Sequence, residues 1–329
     1  MNYIFLPEFE ESNLIICDEY KDWINAWLYE LNENIEKEMI SSSECVQGLL
    51  CERLLNVRNT DWLSVEQNLL RDENGKPLAY SEKYGKKLYK FDSQWKQTPV
   101  HAIYNSFWIN RFYGADTQTY KTMILSLIQK NGWIYNPEVS NTRIQTRMKS
   151  ELMMSLAMGT SILLVDGMEE RQKNTFEATL AEIPLTGYVS AEFFRQIALE
   201  NIQSIYQRPE ELEDMLLKCE YGNGYNDFCM TDKKDDYMGT RKRTQHDNAI
   251  HSPLITCMAE ALCKSRSAKS VKKFENKMQI YAKDLKKKPF DIPSFQMRDI
   301  AYSFGTGIAP LEVIAATVIT NKYSDGGLL

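Results

Sequence analysis

The chain is 329 residues long, 43% hydrophobic and 26% charged, with a formal net charge of −6. Such a composition buries a sizeable core and excludes a disordered chain, which would need lower hydrophobicity and a larger charge imbalance. No apolar run reaches the roughly 20 residues that span a bilayer, and the opening MNYIFLPEFEE lacks the basic-then-apolar pattern of a secretory leader, so a cytoplasmic protein with no membrane partner is expected.

Helical periodicity dominates the order of elements. After Asp18, residues Trp23, Ile24, Trp27, Leu28, Leu31 and Ile35 recur at the three-and-four spacing of a buried helix face, with an acidic face opposite. Ser41 and Glu44 stand at capping-box spacing ahead of Val46, Leu49, Leu50 and Leu54, which predicts a second helix. Residues 72–77, DENGKP, carry turn chemistry and residues 86–91, KKLYKF, alternate like a strand, so a small β-hairpin is expected in the N-terminal third. Met123, Ile124, Leu127 and Ile128 predict a helix over 116–130 that Asn131-Gly132 stops. Another opens at Ser140, with Ile144, Met148, Leu152 and Leu156 four apart. Its methionines Met148, Met153, Met154 and Met158 are read as core packing rather than as a ligand groove. Beyond Pro184 and Gly187, Ser190 is placed to cap a helix burying Phe193, Phe194, Ile197, Ala198 and Ile202. Pro209 and Ser252-Pro253 have the form of helix starts, residues 221–240 read as a long exposed loop, and further helices are predicted near 267–286, 294–304 and 309–321.

Seven cysteines are scattered without a C-x-x-C pair, and only three histidines accompany them. They are read as reduced, packed thiols, and neither a metal nor a cofactor is expected. Phosphate-loop, dinucleotide, nucleophile-elbow and zinc-protease motifs are missing from the sequence.

Charge is unevenly placed. Residues 1–50 hold 11 Asp/Glu against 2 Lys, whereas residues 241–288 hold 13 Lys/Arg against 4 Asp/Glu. At helical spacing Phe274, Met278, Tyr281 and Leu285 gather on one side of the predicted 267–286 helix, and Lys269, Lys272, Lys273, Lys283 and Lys287 fall broadly opposite. With Arg241, Lys242, Arg243, Lys264, Arg266 and Lys277 they make a candidate nucleic-acid-binding surface, because a cationic stripe gains affinity by releasing counterions from a phosphate backbone. A solvated helix face, or docking against the acidic N-terminal region, on this chain or on a partner, would use the same charges.

Arg241 and His246, separated by four residues, resemble the R-x(4-6)-H motif of HEPN-domain ribonucleases, with Lys242 where that family often carries a small polar residue. The resemblance implies an all-helical, metal-independent nuclease in which His246 moves the proton and Arg241 stabilises phosphate charge. His246-Asp247 is also similar to the doublet of HD-type metallophosphohydrolases, which need an earlier histidine; His101 is the only one upstream.

These readings predict an all-α or nearly all-α, compact multi-helix array with the minor hairpin. Residues 1–135 would form an acidic helical region and 136–329 a helical region with the basic segment, or the two would be one continuous domain. The expected role is a non-catalytic binding or scaffolding subunit of a cytoplasmic assembly, with a protein partner and nucleic acid as a further candidate. A metal-independent ribonuclease using Arg241 and His246 is the alternative. Nothing in the sequence sets the oligomeric state.

Overall fold

The computed structural model describes residues 18–88, 100–135, 149–183, 189–206, 220–221 and 224–225. Among these the architecture is mainly all-α, and no helix is long and apolar enough to cross a membrane.

Helix α1 (Asp18–Glu36) buries Ile24, Trp27, Leu28 and Leu31 and leaves Asp22, Tyr29, Glu30 and Glu36 exposed, as its periodicity predicts. Helix α2 (Ser42–Leu55) opens on the expected capping box: the Glu44 amide donates to Ser41 Oγ at 3.2 Å and the Ser41 amide to Glu44 Oε2 at 2.7 Å. It closes on Asn56 in the left-handed conformation, φ 56°, a side chain that tolerates this region. Short α3 (Trp62–Gln67) follows, capped by Asp61, and then a turn in which Asp72 Oδ1 accepts from the Asn74 and Lys76 amides, both at 2.8 Å. Gly75 supplies the positive φ of 76° that this turn requires.

The DENGKP turn is therefore present, but the hairpin is not shown. One isolated bridge pairs Arg71 with Pro77 and another pairs Ser41 with Tyr80. Lys86 to Leu88 belong to helix α4 (Glu82–Leu88), and residues 89–91 lie outside the described set. Spacing by four overrides the alternation here: Tyr80 stacks edge-on against Tyr84 at 5.4 Å, and Lys86 pairs with Glu82 at 2.5 Å.

Helix α5 (Val100–Phe112) is the hub. Every residue from Val100 to Asn110 is buried, with Tyr104, Phe107 and Trp108 stacked along it. It packs against α2, α3, α6 (Gln118–Leu127) and α7 (Lys149–Asp166). Because α7 touches α5 and α6, helices on both sides of residue 135 share one core. Met153 and Met158 are buried in it, in keeping with the packing role. Met148 lies outside the described residues. Helix α6 ends at Leu127, earlier than expected, and Ile128 is already extended. Asn131-Gly132 forms the tip of a tight turn, with Ile128 bridged to Ile134, rather than a helix stop.

Two further helices complete the described part. Helix α8 (Glu170–Glu182), unforeseen, begins where Gln172 reaches back to the Glu169 amide at 3.0 Å. Helix α9 (Val189–Asn201) includes Ser190 in its first turn and buries Phe194, Ile197 and Ala198 along α7. Asn201 Nδ2 binds Thr160 Oγ1 at 3.0 Å and Ser161 Oγ at 2.8 Å, and Arg195 Nη1 donates to the Leu180 and Ile183 carbonyls that α8 leaves open. Within the expected 221–240 loop, β1 (Glu220–Tyr221) pairs antiparallel with β2 (Gly224–Tyr225). The predicted helix starts at Pro209 and Ser252-Pro253 and the helices near 267–286, 294–304 and 309–321 fall outside the described residues.

Two helix glycines allow close approach, and they differ in what they approach. A Cβ at Gly48 would overlap the rigid Trp62 ring, whereas one at Gly159 would meet the flexible tip of Ile134. Replacing Gly by Ala gains about 1 kcal/mol of helix propensity, while overpacking a rigid neighbour costs about 1–3 kcal/mol. Gly159→Ala should leave the urea midpoint nearly unchanged and Gly48→Ala should lower it; equal midpoints for the two variants would refute the distinction.

Candidate functional site

All twelve residues expected to contact nucleic acid or substrate, Arg241, Lys242, Arg243, His246, Lys264, Arg266, Lys269, Lys272, Lys273, Lys277, Lys283 and Lys287, lie outside the described residues. The described residues hold a different concentration of chemistry, and it is internal. Four of their carboxylates, Glu44, Glu52, Glu66 and Glu192, are buried.

Glu66 projects from α3 with no exposure at all. Its Oε1 accepts from Arg71 Nη2 at 2.7 Å and from the Ser106 hydroxyl on α5. Arg71 also hydrogen-bonds the Tyr120 hydroxyl of α6, which accepts from Asn110 Nδ2 at 3.1 Å; Asn110 Nδ2 in turn donates to the Ser106 carbonyl at 2.8 Å. The circuit closes on α5 and ties four segments together. Local folding places each member: the Asp72 turn brings Arg71 back over α3, and the one-turn spacing of Ser106 and Asn110 sets both on one side of α5. Burial alone would disfavour the Arg71 charge, but Glu66 and Tyr120 more than reverse that and raise its affinity for the proton. Tyr120 is raised by burial and by Glu66, with Arg71 and Asn110 acting against the shift.

Next to the circuit, Asn105 Nδ2 donates to Ser42 Oγ at 3.1 Å and Ser43 Oγ at 3.4 Å, joining α5 to the first turn of α2. Glu52 accepts from Trp62 Nε1 at 3.0 Å, holding α3 to α2. Glu192 pairs with Arg195 at 2.9 Å, and Glu44 belongs to the capping box. Each buried carboxylate is thus committed to a structural bond. Burial, then the neighbouring Glu66 and Glu44, drives the Cys45 thiol well above its ordinary range, and burial with Glu52 does the same at Cys51; neither is poised as a nucleophile. His101 is fully buried and burial drives its imidazole down to about 3, so it stays neutral at physiological pH. Among the described residues no three His, Cys, Asp or Glu side chains are arranged to hold a metal.

No family model, curated protein or solved structure matches the chain.

Two outcomes follow. Arg71→Leu leaves the Glu66 charge buried and should cost about 3 kcal/mol in denaturant unfolding, with Glu66→Gln added to it restoring about half; a double variant no more stable than the single one would rule out the ion-pair account. His101 has a folded-state pKa of about 3 against an ordinary value of 6.5, so the unfolded chain binds the proton first. Its contribution is present above pH 6.5 and is lost as pH falls toward 3, about 2 kcal/mol by pH 5. His101→Gln should flatten the stability profile between pH 6.5 and 5, and an unchanged slope would count against the burial of a neutral imidazole.

Proposed function

We propose that this protein is a non-catalytic binding or scaffolding subunit that contacts nucleic acid through the basic segment 241–288, working with a protein partner in a cytoplasmic assembly. The observation that carries the reading is the charge division of the sequence: 13 Lys/Arg against 4 Asp/Glu in residues 241–288 of a chain whose net charge is −6. An acidic protein gains nothing in general solubility from so local a reversal, whereas a phosphate backbone rewards clustered cations by counterion release. The buried carboxylates of the described residues are committed to bonds within the helical array, which supports a scaffolding role. The motif-like spacing of Arg241 and His246 favours a second reading, a metal-independent ribonuclease in which those two residues act on the ribose and phosphate.

One series of measurements separates them. The full chain should bind single-stranded RNA or DNA with an affinity that falls by on the order of 10³ between low and moderate salt, if six or more phosphates are neutralised. Lys269→Glu, Lys272→Glu and Lys273→Glu together should abolish that binding, and His246→Ala should leave it intact. Salt-insensitive binding, or none, would overturn the nucleic-acid reading. Cleavage that survives a chelator and disappears with His246→Ala would replace the subunit by the nuclease.

A further inference from the structure

The exposed side of α1 is not an ordinary solvated face. Asp22, Ala26, Tyr29, Glu33 and Glu36 follow one another at intervals of four and three, opposite the buried Ile24, Trp27, Leu28 and Leu31, and so form a single stripe along the helix. The stripe runs about 21 Å at 1.5 Å per residue. Tyr29 stands in its middle with 69% of its surface exposed, the largest exposure of any described aromatic side chain. Exposed carboxylates lie on either side of it, and Glu30 adds a further acid at its edge. Of the nearby cations, Lys37 pairs with Glu33 at 3.1 Å. A bare aromatic ring flanked by carboxylates matches one kind of ligand, a lysine- and arginine-rich helix, whose cations meet the carboxylates and the π face together. The chain carries such a segment itself in residues 241–288, where Lys269, Lys272, Lys273, Lys283 and Lys287 share a helical face by sequence.

We propose that this α1 stripe is a docking surface for the chain's own basic segment, 241–288, and that nucleic acid must displace it from there. The competition rests on the nucleic-acid reading above; the docking does not. Individual exposed ion pairs are weak and screened by salt, which on its own would make such a contact negligible. Tethering changes the balance, because a segment of the same chain acts at an effective concentration on the order of millimolar, so an intrinsically weak contact is still occupied. The consequence is a nucleic-acid surface that is partly masked in the free protein and released by any polyanion strong enough to outbid about four carboxylates.

A zero-length carbodiimide reagent tests this on the full chain at high dilution. It activates a carboxylate, and a touching lysine amine then forms an amide with loss of the reagent as a urea. Peptide mapping should find amides joining Asp22, Glu33 or Glu36 to lysines of 264–288, with a yield that drops roughly tenfold at high salt. Tyr29→Ala, which leaves every carboxylate in place, should lower that yield several-fold without shifting the thermal melt. Amides confined to local pairs such as Glu33 and Lys37 overturn the docking, and so do amides found only between isotopically distinct copies. Single-stranded RNA added beforehand should suppress the amides in proportion to occupancy. RNA that binds without suppressing them overturns the competition, and amides that form while RNA fails to bind overturn the nucleic-acid reading and leave the docking in place.

Discussion

The described structure depends on keeping one charge, that of Glu66, inside a helical core. A carboxylate with no exposure is costly, and it persists only if its partners are held in good geometry. Arg71 is fixed by the Asp72 turn, and Ser106 by a helix whose neighbours leave it no freedom. The same carboxylate then fixes them in return. Through Tyr120 and Asn110 the arrangement extends to α6, so the angle at which four segments meet is set by hydrogen-bond directions rather than by shape alone.

That constraint explains why α5 can be buried on every side. An all-apolar helix in its place could rotate or slide among equivalent packings, since cores tolerate many hydrophobic arrangements. Asn105, Ser106 and Asn110 remove that freedom, because each meets a partner on a different neighbouring segment in only one orientation. Gly48 and the Glu52 contact to Trp62 perform the same service between α2 and α3, one by close approach and the other by direction.

Helix α1, with one wet face, was legible in the sequence and α5, with none, was not, whereas α2 was read from its cap despite its burial and α8 was missed despite its wet face. Helix α1 has a buried side and an acidic side, so period 3.6 stands out; the Ser41–Glu44 pair signals the start of α2 because capping chemistry is local. Helix α5 reads VHAIYNSFWINRF, with apolar residues at all angles and polar ones inside, so amphipathic periodicity has nothing to detect. The hairpin is not shown for a related reason: alternation over Lys86 to Leu88 is short, and those residues lie in helix α4, where Glu82 and Lys86 pair four apart. The internal polar circuit was missed because its members, Glu66, Arg71, Ser106, Asn110 and Tyr120, become neighbours only after α3, the Asp72 turn, α5 and α6 have packed. Polar residues four apart within an apolar run, Ser106 and Asn110, were the one local sign of it.

Charge and fold divide the chain's labour in opposite senses. Inside the helical array opposite charges are few, buried and geometrically exact in their partners, as at Glu66 with Arg71, so they specify one structure and resist exchange. The charges of α1 are predominantly acidic and several of them are exposed, and those of residues 241–288 are predominantly basic by sequence. Groups of that kind bind loosely and release readily, because no single desolvated pair has to be broken. On the proposed function, a protein that hands a polyanion on or off needs its recognition charges to be of the second kind and its scaffold charges to be of the first. If the buried set were as exchangeable as the exposed one, ionic strength would loosen the core along with the surface contacts; desolvation of Glu66 is what keeps the two responses separate.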